Sequence, residues 1–318
     1  MYRLGIDIAG APGGNFHLSL INWGPEPHAS PQIHWGLMHL PLTVADGYPD
    51  FDFPQIRAAA SPGNIDMVAD LSFPIYDFVR ANLDVSVVNL CHAANIERNQ
   101  ITVVGIDSPS GFSRNTMGHG RVTEKVAPLW GIGLNGNFRV VFQMTPSVAC
   151  GRPHGAEWYW MLFGMAAFYA FESNFHHNLQ GWRNYLLNGL AIANQALPWH
   201  VIEVFPRATI QYLRSQNHHI PAANIIQNFL DNMIMPLIHN SHDQISIEAL
   251  NRINEVLQNG EPTMNDYADA LIAALTTLPS IMPDQYHYMT LEGDTPTDYA
   301  PLPPNNRQQE GRIFLLQM

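Results

Sequence analysis

Two aliphatic runs in this chain end in the same three residues, Gly5-Ile6-Asp7 and Gly105-Ile106-Asp107, and small or turn-forming residues follow each. The first run, from Arg3, is rich enough in aliphatics to be a strand, and Ala9-Gly10-Ala11-Pro12-Gly13-Gly14 punctuates its end. Strand geometry puts Ile6 and Ile8 on one face and Asp7 on the other. The second run, from Ile101, is near-continuous in aliphatics, as strands buried on both faces are, and Ser108-Pro109-Ser110-Gly111 closes it. Carboxylates at the carboxyl ends of adjacent strands open into one crevice, where open α/β sheets place ligands.

Between the two runs, Asn15 to Trp23 alternates Phe16, Leu18 and Leu20 against His17, Ser19 and Ile21, and Gln32 to Leu40 reads as a second, edge-like strand. Short connections make a three-stranded antiparallel meander the economical arrangement. Residues 41–63, rich in Pro, Gly and Asp, predict a loop, and Asn64 to Leu83 predicts a helix that Pro74 kinks or splits. Residues 84–97 carry no pattern that decides between states. Beyond Asp107, residues 112–155 read as a long functional loop or inserted subdomain, and Ala156 to Asn174 as a buried helix. His200 to Pro206 predicts a strand with one acid, Glu203, and helical stretches follow from Pro206 and near 222–238 and 245–258.

Glu261-Pro262-Thr263-Met264-Asn265 supplies the breaker and cap for a helix opening Asp266-Tyr267-Ala268-Asp269-Ala270-Leu271. Its two acids are three apart on one helical face, in the first turn, where the helix dipole favours negative charge. A Pro-rich segment, 279–318, closes the chain with one further strand near Gly311 to Leu316.

Composition narrows the function classes. At 46% hydrophobic and 13% charged residues over 318 positions, the chain has material for a sizeable core. No apolar run is long enough to span a bilayer and the N-terminus shows no signal pattern, so the expectation is a cytoplasmic protein with no membrane partner. Cys91 and Cys150 set no zinc spacing or disulfide framework and are expected as buried thiols. A net charge of −12 argues against coating nucleic acid by bulk electrostatics. The charge is unevenly distributed, however. From Ser108 to Ala156 the chain carries Arg114, Arg121, Lys125, Arg139 and Arg152 against the single acid Glu124, whereas Asn254 to Asn306 holds eight acids and no Lys or Arg.

The order of these elements is the layout of an RNase H-like fold, and the late Asp-x-x-Asp-Ala-Leu helix resembles that of Holliday-junction resolvases. The whole set resembles a family of predicted RNase H-like nucleases, domain of unknown function family 429. The matching elements are Ile6-Asp7, Ile106-Asp107-Ser108-Pro109, Glu203-Val204-Phe205-Pro206, Asp266 to Leu271 and the closing Glu310-Gly311-Arg312-Ile313. The resemblance spans almost the whole chain, and order and spacing give it its force. It departs in two places: Arg121 with Glu124 fits only loosely the Arg-then-acid pair that follows the second strand motif, and residues 112–199 form an insertion without counterpart.

The resemblance implies a single α/β domain over 1–318, a mixed sheet with the antiparallel meander, parallel strands after it and helices on both faces. It further implies a metal-dependent nuclease or phosphodiesterase. Two carboxylates 4 Å apart repel by about 4 kcal/mol at an effective dielectric of 20, so several together call for cations. A pair of Mg2+ or Mn2+ ions, roughly 3.5–4 Å apart, meets that need and serves phosphodiester hydrolysis. In that reading Asp7, Asp107, Asp266 and Asp269 hold the metals, Glu203 is a further ligand or orienter, and Arg114 and Arg121 bind substrate phosphates. The substrate is DNA, RNA or another phosphoester.

Two other classes compete. A catalytically silent scaffold or binding module would keep the fold without the chemistry. An actin-like ATP-dependent phosphotransferase also opens with a Gly-Ile-Asp strand, needs a phosphate loop such as Gly10 to Asn15, and needs a duplicated domain that this chain is too short to hold. Gly131-x-Gly-x-x-Gly136 matches a dinucleotide fingerprint only by letter, and the pairs His176-His177, His218-His219 and His239-x-x-His242 read as surface polarity.

Overall fold

In the computed structural model the described residues are 2–8, 14–23, 31–40, 51–60, 64–111, 157–188, 199–215, 222–259, 265–278, 287–291 and 313–317. In chain order they form β1 (Tyr2–Asp7), β2 (Asn15–Asn22), β3 (Gln32–His39), α1 (Phe53–Ala60), α2 (Ile65–Ala93) and β4 (Ile101–Asp107). Helices α3 (Glu157–Glu172) and α4 (Leu179–Asn188), strand β5 (His200–Val204) and helix α5 (Pro206–Ser215) follow. Next come α6 (Ala222–Phe229), a π-helical turn (Leu230–Ile234), α7 (Met235–Asn240), α8 (Gln244–Asn259), α9 (Asp266–Thr276), β6 (His287–Leu291) and β7 (Ile313–Gln317).

The strands form one mixed sheet in the order β3-β2-β1-β4-β5-β7-β6. The β3-β2-β1 meander is antiparallel, β1, β4, β5 and β7 run parallel, and β6 returns antiparallel to β7. Alternation along the strands sorts the two faces. Leu4, Ile6, Phe16, Leu18 and Leu20 join a core with α1, α2, α3 and α4. On the opposite face, Ile21 and Trp23 pack with α5, α8 and α9 and with Phe229, Met233 and Leu237. Fully burying Leu271 and Leu275 of α9 contributes about 1.5–3 kcal/mol each.

Several elements differ from the sequence expectation. The segment 41–63, read as loop, contains α1 over its described residues 53–60. Helix α2 neither stops at Leu83 nor splits at Pro74 but runs on to Ala93. Leu83, Val87, Leu90 and Cys91 recur at helical spacing and are all buried, which outweighs the loss of one amide donor at Pro74. Helix α4, inside the presumed insertion, and strand β6, inside the Pro-rich tail, are additional elements. Cys91 is a free, buried thiol, as expected. Among the described residues no helix is long and apolar enough to cross a membrane. Arg114, Arg121, Cys150, the Gly131 to Gly136 motif, His218-His219 and most of the Gly10 to Asn15 loop lie outside the described residues.

Candidate functional site

The site starts from two glycines. Gly5 and Gly105 pair in register on β1 and β4, as do Asp7 and Asp107 two residues on, so all four share one face at neighbouring strand ends. Neither glycine has room for a side chain. A Cβ on Gly5 would lie 2.0 Å from the Ala270 carbonyl oxygen and 2.3 Å from the Ala274 nitrogen, and one on Gly105 would lie 2.6 Å from the Ala273 oxygen. The backbone of α9 therefore rests directly on the two strands. Ser19 of β2 fixes it laterally, its hydroxyl donating to the Ala270 carbonyl at 2.8 Å.

That seating aims the acids. Ala270 lies over Gly5 and Ala273 over Gly105, so Asp266 and Asp269, one turn earlier in α9, lie towards Asp7 and Asp107. The match is metric: two strand residues rise about 6.6 Å and one helical turn about 5.4 Å. Asn265 starts the helix at this point, its Oδ1 accepting from the Ala268 amide at 2.8 Å.

The electrostatics register the convergence. Burial pushes the Asp7 carboxyl well above the usual carboxylate range, and the charges of Asp269, Asp107 and Asp266 push the same way against a weaker pull from Arg207. Asp107 is raised well up by burial and by Asp269, with Glu203 adding and Arg207 opposing. Asp269 is pushed up to about 7, chiefly by burial, with Arg207 drawing it down and Asp266 adding to the rise. Its Oδ2 stands 3.9 Å from the half-exposed Arg207 guanidinium, and its buried Oδ1 has no hydrogen-bond partner among the described residues.

Two residues of this face carried no role in the sequence reading. His17, directly across the hairpin from Asp7, brings Nδ1 to 3.9 Å from Asp7 Oδ2 and 3.7 Å from Asp266 Oδ2. Asp7, His17 and Asp266 each offer a ligand atom, all within 4.8 Å of one another. Burial lowers the His17 pKa and His39 adds to that, while Asp266 opposes, so the ring favours its neutral, ligating form. Arg207, just after β5, is the other. The signal for His17 lay in the hairpin register, which sets it opposite Asp7. Arg207 was marked only by its place after the Glu203 strand.

Glu203 takes a different position from the other acids. It pairs with Ile106, not Asp107, and so faces the opposite side of the sheet. There its Oε2 accepts from the Ser110 amide at 3.0 Å and the Ser110 hydroxyl at 2.9 Å. The Tyr185 hydroxyl of α4 donates to the Ser110 carbonyl, and Gly164 of α3 leaves space that Ser108 fills, a Cβ there falling 1.6 Å from Ser108 Oγ. Glu203, expected as a ligand or orienter, thus sits where it braces the turn that follows Asp107.

Among the expected site residues the structure therefore brings together Asp7, Asp107, Asp266 and Asp269, with Glu203 behind them. Asp269 Oδ1 and His17 Nδ1, both without a hydrogen-bond partner among the described residues, would suit a bound cation, because a buried polar atom left unpaired costs about 1–3 kcal/mol. Asp243, next to His242, caps α8, accepting from the Ser246 amide and hydroxyl. No protein-family model, curated protein or solved structure matches the chain.

Proposed function

We propose that the chain is a metal-dependent phosphodiesterase, most simply a nuclease, on an RNase H-like sheet. One observation carries this reading. Asp7 and Asp107 end neighbouring parallel strands in register, and a helix seated on two glycines adds Asp269 to them, so one buried and two partly buried carboxylates share one corner. A protein gains no stability from such a grouping. At 4 Å each pair would cost about 4 kcal/mol at an effective dielectric of 20.

Asp7, Asp107, Asp269 and Asp266 would hold Mg2+ or Mn2+, which would supply Lewis-acid stabilisation of the developing charge and a water of lowered pKa. The chain's own residues do the rest. Asp7, at the centre, has strand neighbours on both sides and is fixed by the sheet. Arg207, half-exposed at the edge of the cluster, is placed to bind a phosphate oxygen of an entering substrate. Glu203 and Tyr185 hold the 108–110 turn and with it the direction of Asp107. DNA and RNA are both candidate substrates, and a small phosphodiester presents the same group. The sheet order, with an antiparallel meander leading into parallel strands and an acidic late helix, supports the RNase H-like assignment and the resemblance to predicted RNase H-like nucleases.

The test is cleavage of single-stranded DNA, branched DNA, RNA and bis-p-nitrophenyl phosphate, with Mg2+ or Mn2+, by wild type, Asp7→Asn and Asp107→Asn. Metal-dependent cleavage, at least a hundredfold weaker in either variant, is the expected result. Cation binding without cleavage of any phosphodiester would favour a silent scaffold.

A further inference from the structure

We infer that the Asp7–His17–Asp266 corner is a distinct cation subsite with an imidazole ligand, selective for a transition-metal dication of the Mn2+, Co2+ and Zn2+ class over Mg2+. It rests on reading the carboxylate cluster as a cation site, but not on the phosphodiester chemistry.

Strand order divides the cluster in two. β2 and β4 flank β1, so His17 and Asp107 stand on opposite sides of Asp7. Above them, α9 sets Asp266 towards the β1–β2 side, where Ala270 meets Gly5 and Ser19, and Asp269 towards the β4 side, where Ala273 meets Gly105. One side thus offers an imidazole and two carboxylates. The other offers carboxylates alone, with Arg207 beside Asp269.

The imidazole side has the geometry of a ligand set. His17 Nδ1 lies 3.9 and 3.7 Å from the two carboxylate oxygens, too far for a hydrogen bond. Donors bound at about 2.0–2.2 Å to one shared ion stand about 2.9–4.2 Å apart, depending on the angle at the ion. His17 is only 6% exposed, and its Nδ1 is buried with no hydrogen-bond partner among the described residues. The nitrogen is therefore withdrawn from water and held short of both acids.

The ring is also braced. It meets Tyr267 edge-on at 4.6 Å between centroids, Tyr267 meets Trp35 at 5.3 Å, and the Trp35 indole donates to Ser246 Oγ at 2.7 Å. Tyr267 lies between the two helix acids in sequence, so the residue that orients the ring belongs to the same first turn as Asp266. Asp266 itself has a side chain 67% exposed, which leaves the corner open to an entering ion.

Selectivity follows from ligand type. Mg2+ favours oxygen ligands and retained waters, whereas imidazole suits Zn2+ and its first-row neighbours, and Mn2+, the weakest-binding of that series, sheds water for a nitrogen donor more readily than Mg2+ does. The two sides of Asp7 are thus chemically unequal, and the imidazole side is the one that discriminates.

The experiment is calorimetric titration of Mg2+, Mn2+ and Zn2+ into the full chain, with pulsed electron paramagnetic resonance of bound Mn2+ to detect nitrogen-14 coupling. Wild type, His17→Gln, Asp266→Asn and Asp107→Asn are compared, each checked by thermal melting. The expected result is Mn2+ and Zn2+ binding at least tenfold tighter than Mg2+, with nitrogen coupling from Mn2+. His17→Gln removes the coupling and at least tenfold of the Mn2+ affinity while Mg2+ affinity stays the same. Asp107→Asn keeps the coupling. If His17→Gln does not fold, Asp266→Asn stands in, losing Mn2+ affinity in the same way. Mn2+ binding without nitrogen coupling, or coupling that survives His17→Gln, overturns the inference and leaves the proposed function standing. Coupling lost in His17→Gln with no phosphodiester cleaved by wild type supports the inference and overturns the function. No binding of any cation overturns both.

Discussion

At the scale of single residues, two glycines and one buried acid decide most. Gly5 must lack a side chain because a methyl there would fall 2.0 Å from a helix carbonyl, and backbone cannot swing aside as a side chain can. Gly5→Ala is expected to cost about 1–3 kcal/mol or more, read as a lowered denaturation midpoint, and to weaken cation binding by lifting α9. Asp269→Asn should do the reverse to stability. With its carboxyl pushed up to about 7, Asp269 favours the fold when protonated and loses that contribution as pH rises through about 7. The metal-free Asn variant should therefore melt higher than wild type at pH 8, and differential scanning calorimetry with and without Mn2+ reads both the gain and the lost response to metal.

At the scale of elements, α9 is the part on which the site turns. Its start is set by Asn265, whose side chain caps the Ala268 amide. Asn265→Ala should cost about 1 kcal/mol in chemical denaturation and should loosen the turn that carries Asp266 and Asp269. This element was legible in the sequence because breaker, cap and acidic first turn stand together, and β1 and β4 were legible because each is an aliphatic run closed by Gly-Ile-Asp. The C-terminal half of α2 was not. Val85, Val87 and Val88 suit a strand locally, and only packing of Val87 and Leu90 into the core shows the period to be helical. His17 was hidden for another reason: on an alternating strand the polar face reads as solvent, and α9, which covers it, is distant from it in sequence. Glu203 showed itself as an acid in a strand, but which face it takes depends on register with β4, and no local pattern encodes that.

At the scale of the whole molecule, carboxyls raised by burial are not confined to the candidate site. Burial pushes Glu172, at the end of α3, up to about 8 from an ordinary value of 4.5. A raised carboxyl stabilises the fold while protonated, fully below its unfolded pKa, and that contribution is lost as pH rises through the folded value. Glu172→Gln should then match wild type in melting temperature near pH 4.5 and exceed it increasingly up to about pH 8.5. Equal melting temperatures across that range would contradict the assignment. Because Asp269 loses its contribution in an overlapping window, the informative quantity is the difference between variant and wild type.

The way α9 is laid over β1 and β4 also sets a timetable. Two of the carboxylates are synthesised early, on strands that can find each other once β4 has been made, whereas the helix that completes the corner is made only well after β5. A nascent chain holding only the sheet has exposed glycines where the helix should sit, and neither Asp266 nor Asp269. Contacts this distant in sequence also close slowly. Divalent cations would thus find a finished pocket only once α9 has been made and has docked, so any chemistry done there is withheld until then.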